Sequence, residues 1–160
     1  MGRTYVEGKD TAMIAKHDRK VIDIGVLALA HHCSRIAEEH GWWENEDRNA
    51  GELMMLVVTE VAEAFEEIRN GRALDEVYYV KEDLEYTWSG TKFSWEDEMN
   101  IGERFPGIKP EGPLVELADV LIRILDLVGH KNLSEQFANV VLWKMIFNES
   151  RPYRHGGKTA

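Results

Sequence analysis

No stretch limits the fold of this chain more than Glu116-Leu117-Ala118-Asp119-Val120-Leu121-Ile122-Arg123-Ile124-Leu125-Asp126. At about 100° per residue, a helix gathers Glu116, Asp119, Arg123 and Asp126 onto one narrow stripe. Every other position from Leu114 to Val128 is Leu, Val, Ile or Ala. A helix apolar nearly all round is expected to be buried, so the stripe carries carboxylates into an interior. Buried charge is costly unless it is paired or bound to metal. The stripe therefore calls for a cation.

A second helix with the same property is expected from Gly51 to Asn70, closed by Gly71. Glu60, Glu63 and Glu67 share one face of it. The other helical neighbours of Glu60 are Leu53, Leu56, Val57 and Ala64, so this carboxylate stands inside the apolar sector. Glu66 fits an ordinary solvated face. Two further helices are expected, one from about Lys20 to His40 with Gly41 as its stop, the other from Asn132 or Ser134 to Glu149. On the last, Lys144, Asn148 and Arg151 follow at helical spacing.

The remainder is less regular. Residues 1–18 read as a polar arm and 151–160 as a basic, Gly-rich tail, around a helical core of about 20–149. Residues 72–112 form a long connection in which Tyr86 to Trp95 suggest a small hairpin about Ser89-Gly90, and Pro106 and Pro110 forbid a continuous helix. Trp42 and Trp43 fall in the loop after the first helix and cannot both face one core element. They either cap the helices or offer a stacking platform for a base. Met54, Met55 and Met145 read as core filler. Arg123 and Asp126 are expected to pair with each other or with a neighbouring helix.

With 160 residues the chain is expected to form one domain, 1–160, of all-α class and four-helix-bundle type. A single cysteine, Cys33, makes no internal disulfide and points to a reducing, cytoplasmic setting. No apolar run is long enough for a bilayer, so no membrane partner is expected. The net charge of −10 argues against polymeric nucleic acid, though not against a single nucleotide held through metal. Gly157-Lys158-Thr159 copies the end of a phosphate-binding loop, but Pro152 stands where its first glycine belongs.

Two pairs, Glu60 with Glu63 and Glu116 with Asp119, would converge four carboxylates if their helix faces packed antiparallel. All-oxygen ligation suits Mg²⁺ or Mn²⁺ rather than zinc. A ferritin-like di-iron site would need Glu-x-x-His, and no histidine has that spacing. Such a centre grips phosphates and activates water, with Glu63 or Glu67 nearest for orienting that water.

The ordered set Glu60-x-x-Glu63, Glu116-x-x-Asp119, Lys144, Asn148 and Arg151-Pro152 resembles the MazG-like all-α nucleoside triphosphate pyrophosphohydrolases. The likeness runs from about His40 to Lys158 and includes Gly51-Glu52-Leu53, Glu67-x-Arg69-Asn70-Gly71 and Glu116-Leu117-Ala118-Asp119-Val120. It implies the MazG-like fold and hydrolysis of nucleoside or deoxynucleoside triphosphates between the α- and β-phosphates. It places Mg²⁺ on Glu60, Glu63, Glu116 and Asp119, and phosphate contacts on Lys144, Asn148 and Arg151. His40, Trp42 and Trp43 occupy a place comparable to base-contacting residues of dCTPase-like relatives. It also implies a homodimer or homotetramer whose subunits share helices. The competing reading is a non-catalytic bundle that senses nucleotides or binds a protein through a degenerate metal site.

Overall fold

The computed structural model describes residues 14, 16–44, 48–81, 84–87 and 107–152. In chain order these form α1 (Lys16–Glu39), α2 (Ala50–Arg69), β1 (Tyr78–Lys81), β2 (Leu84–Thr87), β3 (Lys109–Glu111), α3 (Pro113–His130) and α4 (Ser134–Glu149). The described chain is thus mostly helical, in keeping with an all-α class. A small antiparallel sheet of order β2-β1-β3 is added to it. No helix among the described residues is long and apolar enough to cross a membrane.

Local chemistry sets most helix ends. Asn49 caps α2, its Oδ1 accepting from the backbone N–H of Glu52 at 2.9 Å. Gly41 and Gly71 follow α1 and α2 with φ of +75° and +93°, the left-handed turn a glycine makes at little cost. Pro113 begins α3, where a missing N–H costs nothing. Before it, a Cβ on Gly112 would come within 2.4 Å of the Glu76 carbonyl oxygen, so only glycine lets the start of α3 lie against the entry to β1.

One boundary differs from the sequence expectation. α1 starts at Lys16, so the arm read as 1–18 is shorter, and residues 1–13 lie outside the described part. A hairpin among the described residues joins β1 and β2, pairing Tyr78 with Thr87 and Tyr79 with Tyr86. Tyr86 and Thr87 therefore belong to its second strand, and Ser89-Gly90 lies outside the described residues. Pro110 enters β3, at the sheet edge opposite Tyr79, where an absent donor is tolerated.

Residues fall into two compact units, 45–124 and 1–44 with 125–160. In the second, α1 packs on α4. Its core is Ala30, Leu125 and Val128, with Val26, Cys33 and Phe137 against them. Gly129 lets the end of α3 press on α1, since a Cβ there would lie 2.6 Å from the Ala30 carbonyl oxygen. Trp43 is buried in this unit, its indole N–H donating to Asp126 Oδ1 at 2.8 Å and its ring stacked on His130 with centroids 3.6 Å apart. Trp42 is exposed.

The first unit holds α2, the sheet and α3 as far as Ile124. Here the expectation of a wholly buried α3 is corrected. Glu116 is 4% exposed, while Leu114, Leu117, Leu121 and Ile122 are 42–49% exposed. On α2, Glu60 is buried, whereas Met54, Met55, Val58, Val61, Phe65 and Ile68 stand out to solvent. Met54, Met55 and Met145 are therefore not core filler of this chain. The polar stripe points inward, and many of the large apolar side chains of each helix are left outside, although Leu53, Ala64, Leu125 and Val128 are buried.

Candidate metal centre

The spacing of three residues between Glu60 and Glu63 on α2 puts both carboxylates on one helical face, and Glu116 stands in the first turn of α3. One carboxylate oxygen from each of Glu60, Glu63 and Glu116 lies within 4.8 Å of the other two. Glu60 and Glu116 are buried and Glu63 is exposed, so the cluster has a closed side and a side open to water. Asp119 follows one turn after Glu116, half-buried. It is not among the three that meet most closely.

Arg123, one further turn along α3, reaches across to α2. Its Nε donates to Glu60 Oε1 at 2.6 Å and its Nη2 bonds the same oxygen. Arg123 thus pairs with the neighbouring helix α2, one of the two expected arrangements, and Asp126 accepts from Trp43.

The electrostatics are those of a site short of positive charge. Burial, with the Glu111 and Glu60 carboxyls hydrogen-bonded beside it, pushes the Glu116 carboxyl up to about 7. Burial and then the charge of Glu60 also raise Asp119. Lys109 Nζ sits 2.8 Å from Glu111 Oε1, and that bond raises the lysine. Three oxygens this close, two of them buried, could hold a metal ion. An all-carboxylate donor set with one open side fits a hard divalent cation.

Sequence reasoning missed Glu111 and Lys109. Both come from β3 and follow no helical spacing; the one signal is an acidic residue just before the Gly112-Pro113 helix start. It also missed the surroundings of Glu67. The Tyr78 hydroxyl donates to Glu67 Oε2 at 3.1 Å, and Arg72 Nε is 3.8 Å from that oxygen. The Arg72 guanidinium lies 4.0 Å from the centre of the Tyr78 ring. Burial and then Glu67 push the Tyr78 hydroxyl up to about 12.

The remaining sequence candidates belong to the other unit. Lys144, Asn148 and Arg151 are all exposed at the end of α4, and the Lys144 and Arg151 cations lie 5.1 and 5.7 Å from the Phe147 ring centre. His40 is exposed just after α1. Trp43 commits its N–H to Asp126 and one ring face to His130, and Lys131 Nζ lies 5.4 Å from its ring centre. Comparison with protein-family models, curated proteins and solved structures returns no match.

Proposed function

We propose that this chain is a Mg²⁺-dependent nucleoside triphosphate pyrophosphohydrolase, releasing the monophosphate and pyrophosphate from ribo- or deoxyribonucleoside triphosphates. The observation that carries the reading is the meeting of Glu60 and Glu63 from α2 with Glu116 from α3. Carboxylate pairs far apart in sequence have no structural need to meet; like charges brought together destabilise a fold unless a cation joins them. The ordered resemblance to MazG-like enzymes supports the reaction class.

In this reading Glu60, Glu63, Glu116 and Asp119 hold Mg²⁺, with Mn²⁺ as substitute. The metal, when bound, neutralises phosphate oxygens and makes a water more acidic. Glu63 is the exposed member of the cluster, and we assign to it, rather than to Glu67, the orientation of the attacking water. Water attacks phosphorus, the α–β bridging bond breaks, and the bridging oxygen leaves with pyrophosphate. The resemblance assigns phosphate contacts to Lys144, Asn148 and Arg151 and base contacts to His40 and Trp42. Trp43 holds the end of α1 in place.

The chain acts as a homo-oligomer. What supports this is the apolar side chains that α2 and α3 leave in water, Phe65 59% and Leu121 49% exposed among them. The same faces would serve a non-catalytic interaction protein, so turnover is the deciding measurement. Each nucleoside triphosphate is incubated with protein and Mg²⁺, and pyrophosphate and orthophosphate are quantified separately. Pyrophosphate with monophosphate in equal amounts, lost in Glu60→Gln and Asp119→Asn, is expected. Orthophosphate alone, or turnover indifferent to both substitutions, overturns the reading.

A further inference from the structure

Two cations flank the acidic centre, and they are held differently. Lys109 lies on the outer side, 66% exposed, in an ion pair with Glu111 where water screens it. Arg123 is one-third exposed and is locked by two N–H groups onto a carboxylate whose side chain is 7% exposed. Both bonds go to Oε1 of Glu60. A guanidinium does not lose its proton in a protein, so this charge is permanent.

We propose that Arg123 is the built-in counter-cation of the centre: it neutralises Glu60 in the metal-free protein and thereby holds down the affinity for a bare divalent ion. The inference rests on the reading of the acidic cluster as a metal site. Arg123 and the metal compete for the charge of the same carboxylate. Either one stabilises the packing of α2 on α3, and having both gains less than the sum. A consequence follows for the substrate. A polyphosphate brings its own negative charge to the centre, offsets the guanidinium, and so lets the metal bind tightly only in its company.

Two effects oppose each other when Arg123 is removed. Losing a residue that orients a ligand weakens metal sites by about ten- to a hundredfold. Losing a positive charge a few ångströms from a dication strengthens them, by about a hundredfold or more at the effective dielectric of partly buried sites. The charge wins.

The test measures Mn²⁺ binding to the full chain by electron paramagnetic resonance, without nucleotide, for wild type, Arg123→Gln, Arg123→Lys and Glu60→Gln. Melting is followed in chelator and in saturating Mn²⁺. Arg123→Gln is expected to bind Mn²⁺ at least about tenfold tighter than wild type. It should melt below wild type in chelator and close most of that gap in Mn²⁺. Arg123→Lys keeps the charge and should bind within about threefold of wild type. Unchanged or weaker binding by Arg123→Gln overturns the proposal, as does a melting gap that Mn²⁺ leaves intact. Should Arg123→Gln not fold without metal, a tenfold gain in Arg123→Lys also overturns it. The metal reading is judged apart: it fails if wild type binds no Mn²⁺ at millimolar concentration, or if Glu60→Gln binds as well as wild type.

Discussion

Glu116 and Asp126 lie on the same helix and the same stripe, and both are buried, at 4% and 9% exposure. Their surroundings are opposite. Asp126 accepts a hydrogen bond from the neutral indole N–H of Trp43, so the fold aims a donor at it. Glu116 has the carboxyls of Glu111 and Glu60 for hydrogen-bonding neighbours, and its own carboxyl is driven up to about 7. One buried acid faces a donor and the other stands among further acids. Burial alone does not separate a structural carboxylate from a functional one; the sign of what surrounds it does.

The largest effect expected from that contrast is on turnover. Glu116→Gln removes a metal ligand and should lower pyrophosphate release by about two orders of magnitude or more. Asp126→Asn keeps an acceptor for Trp43 and should stay within about threefold of wild type. Steady-state rates with saturating Mg²⁺ decide it. Equal losses in the two variants would erase the distinction.

Stability should move the other way. Asp126→Leu strands the indole N–H and should cost about 1–3 kcal/mol in urea unfolding, the same with and without Mn²⁺. Glu116→Gln should stabilise the metal-free protein and destabilise nothing until metal is added. Its pH dependence has a definite sign. A carboxyl raised in the folded state contributes stability below its ordinary range and loses it as pH rises through about 7. Metal-free wild type should therefore lose stability relative to Glu116→Gln between about pH 5 and 7, by up to about 3 kcal/mol. Mn²⁺ affinity should rise across the same window, because binding requires the carboxylate. A wild-type-minus-variant difference that stays flat would show that Glu116 is ionised throughout.

What was legible in the sequence was periodic. The helices, and the convergence of Glu60, Glu63 and Glu116, follow from spacing on two helices and from apolar residues around buried acids. What was not legible depended on contacts between distant residues. β3 brings Glu111 and Lys109 to the centre through pairing with Tyr78 and Val80, and nothing near 109–111 in the chain announces that register. The inside-out placement of Leu117 and Phe65 was hidden for a related reason. An apolar sector says that a face will be covered, not whether the chain covers it itself.

The smallest effects test the neighbours Glu66 and Glu67 on α2. Glu66 forms an exposed ion pair with Arg69 at 2.6 Å, so Glu66→Gln should change stability by less than about 0.5 kcal/mol. Glu67 faces inward enough to take the Tyr78 hydroxyl and lie beside Arg72, joining α2 to the sheet. Glu67→Gln retains an acceptor for the hydroxyl but loses the charge, and should cost about 1 kcal/mol, with turnover within about threefold of wild type. Urea unfolding and pyrophosphate release measure the two effects separately. A fall in turnover as deep as that of Glu60→Gln, with stability unchanged, would mean that Glu67 leaves Tyr78 during the reaction. The water would then be oriented by Glu67, and Glu63 would be a metal ligand alone.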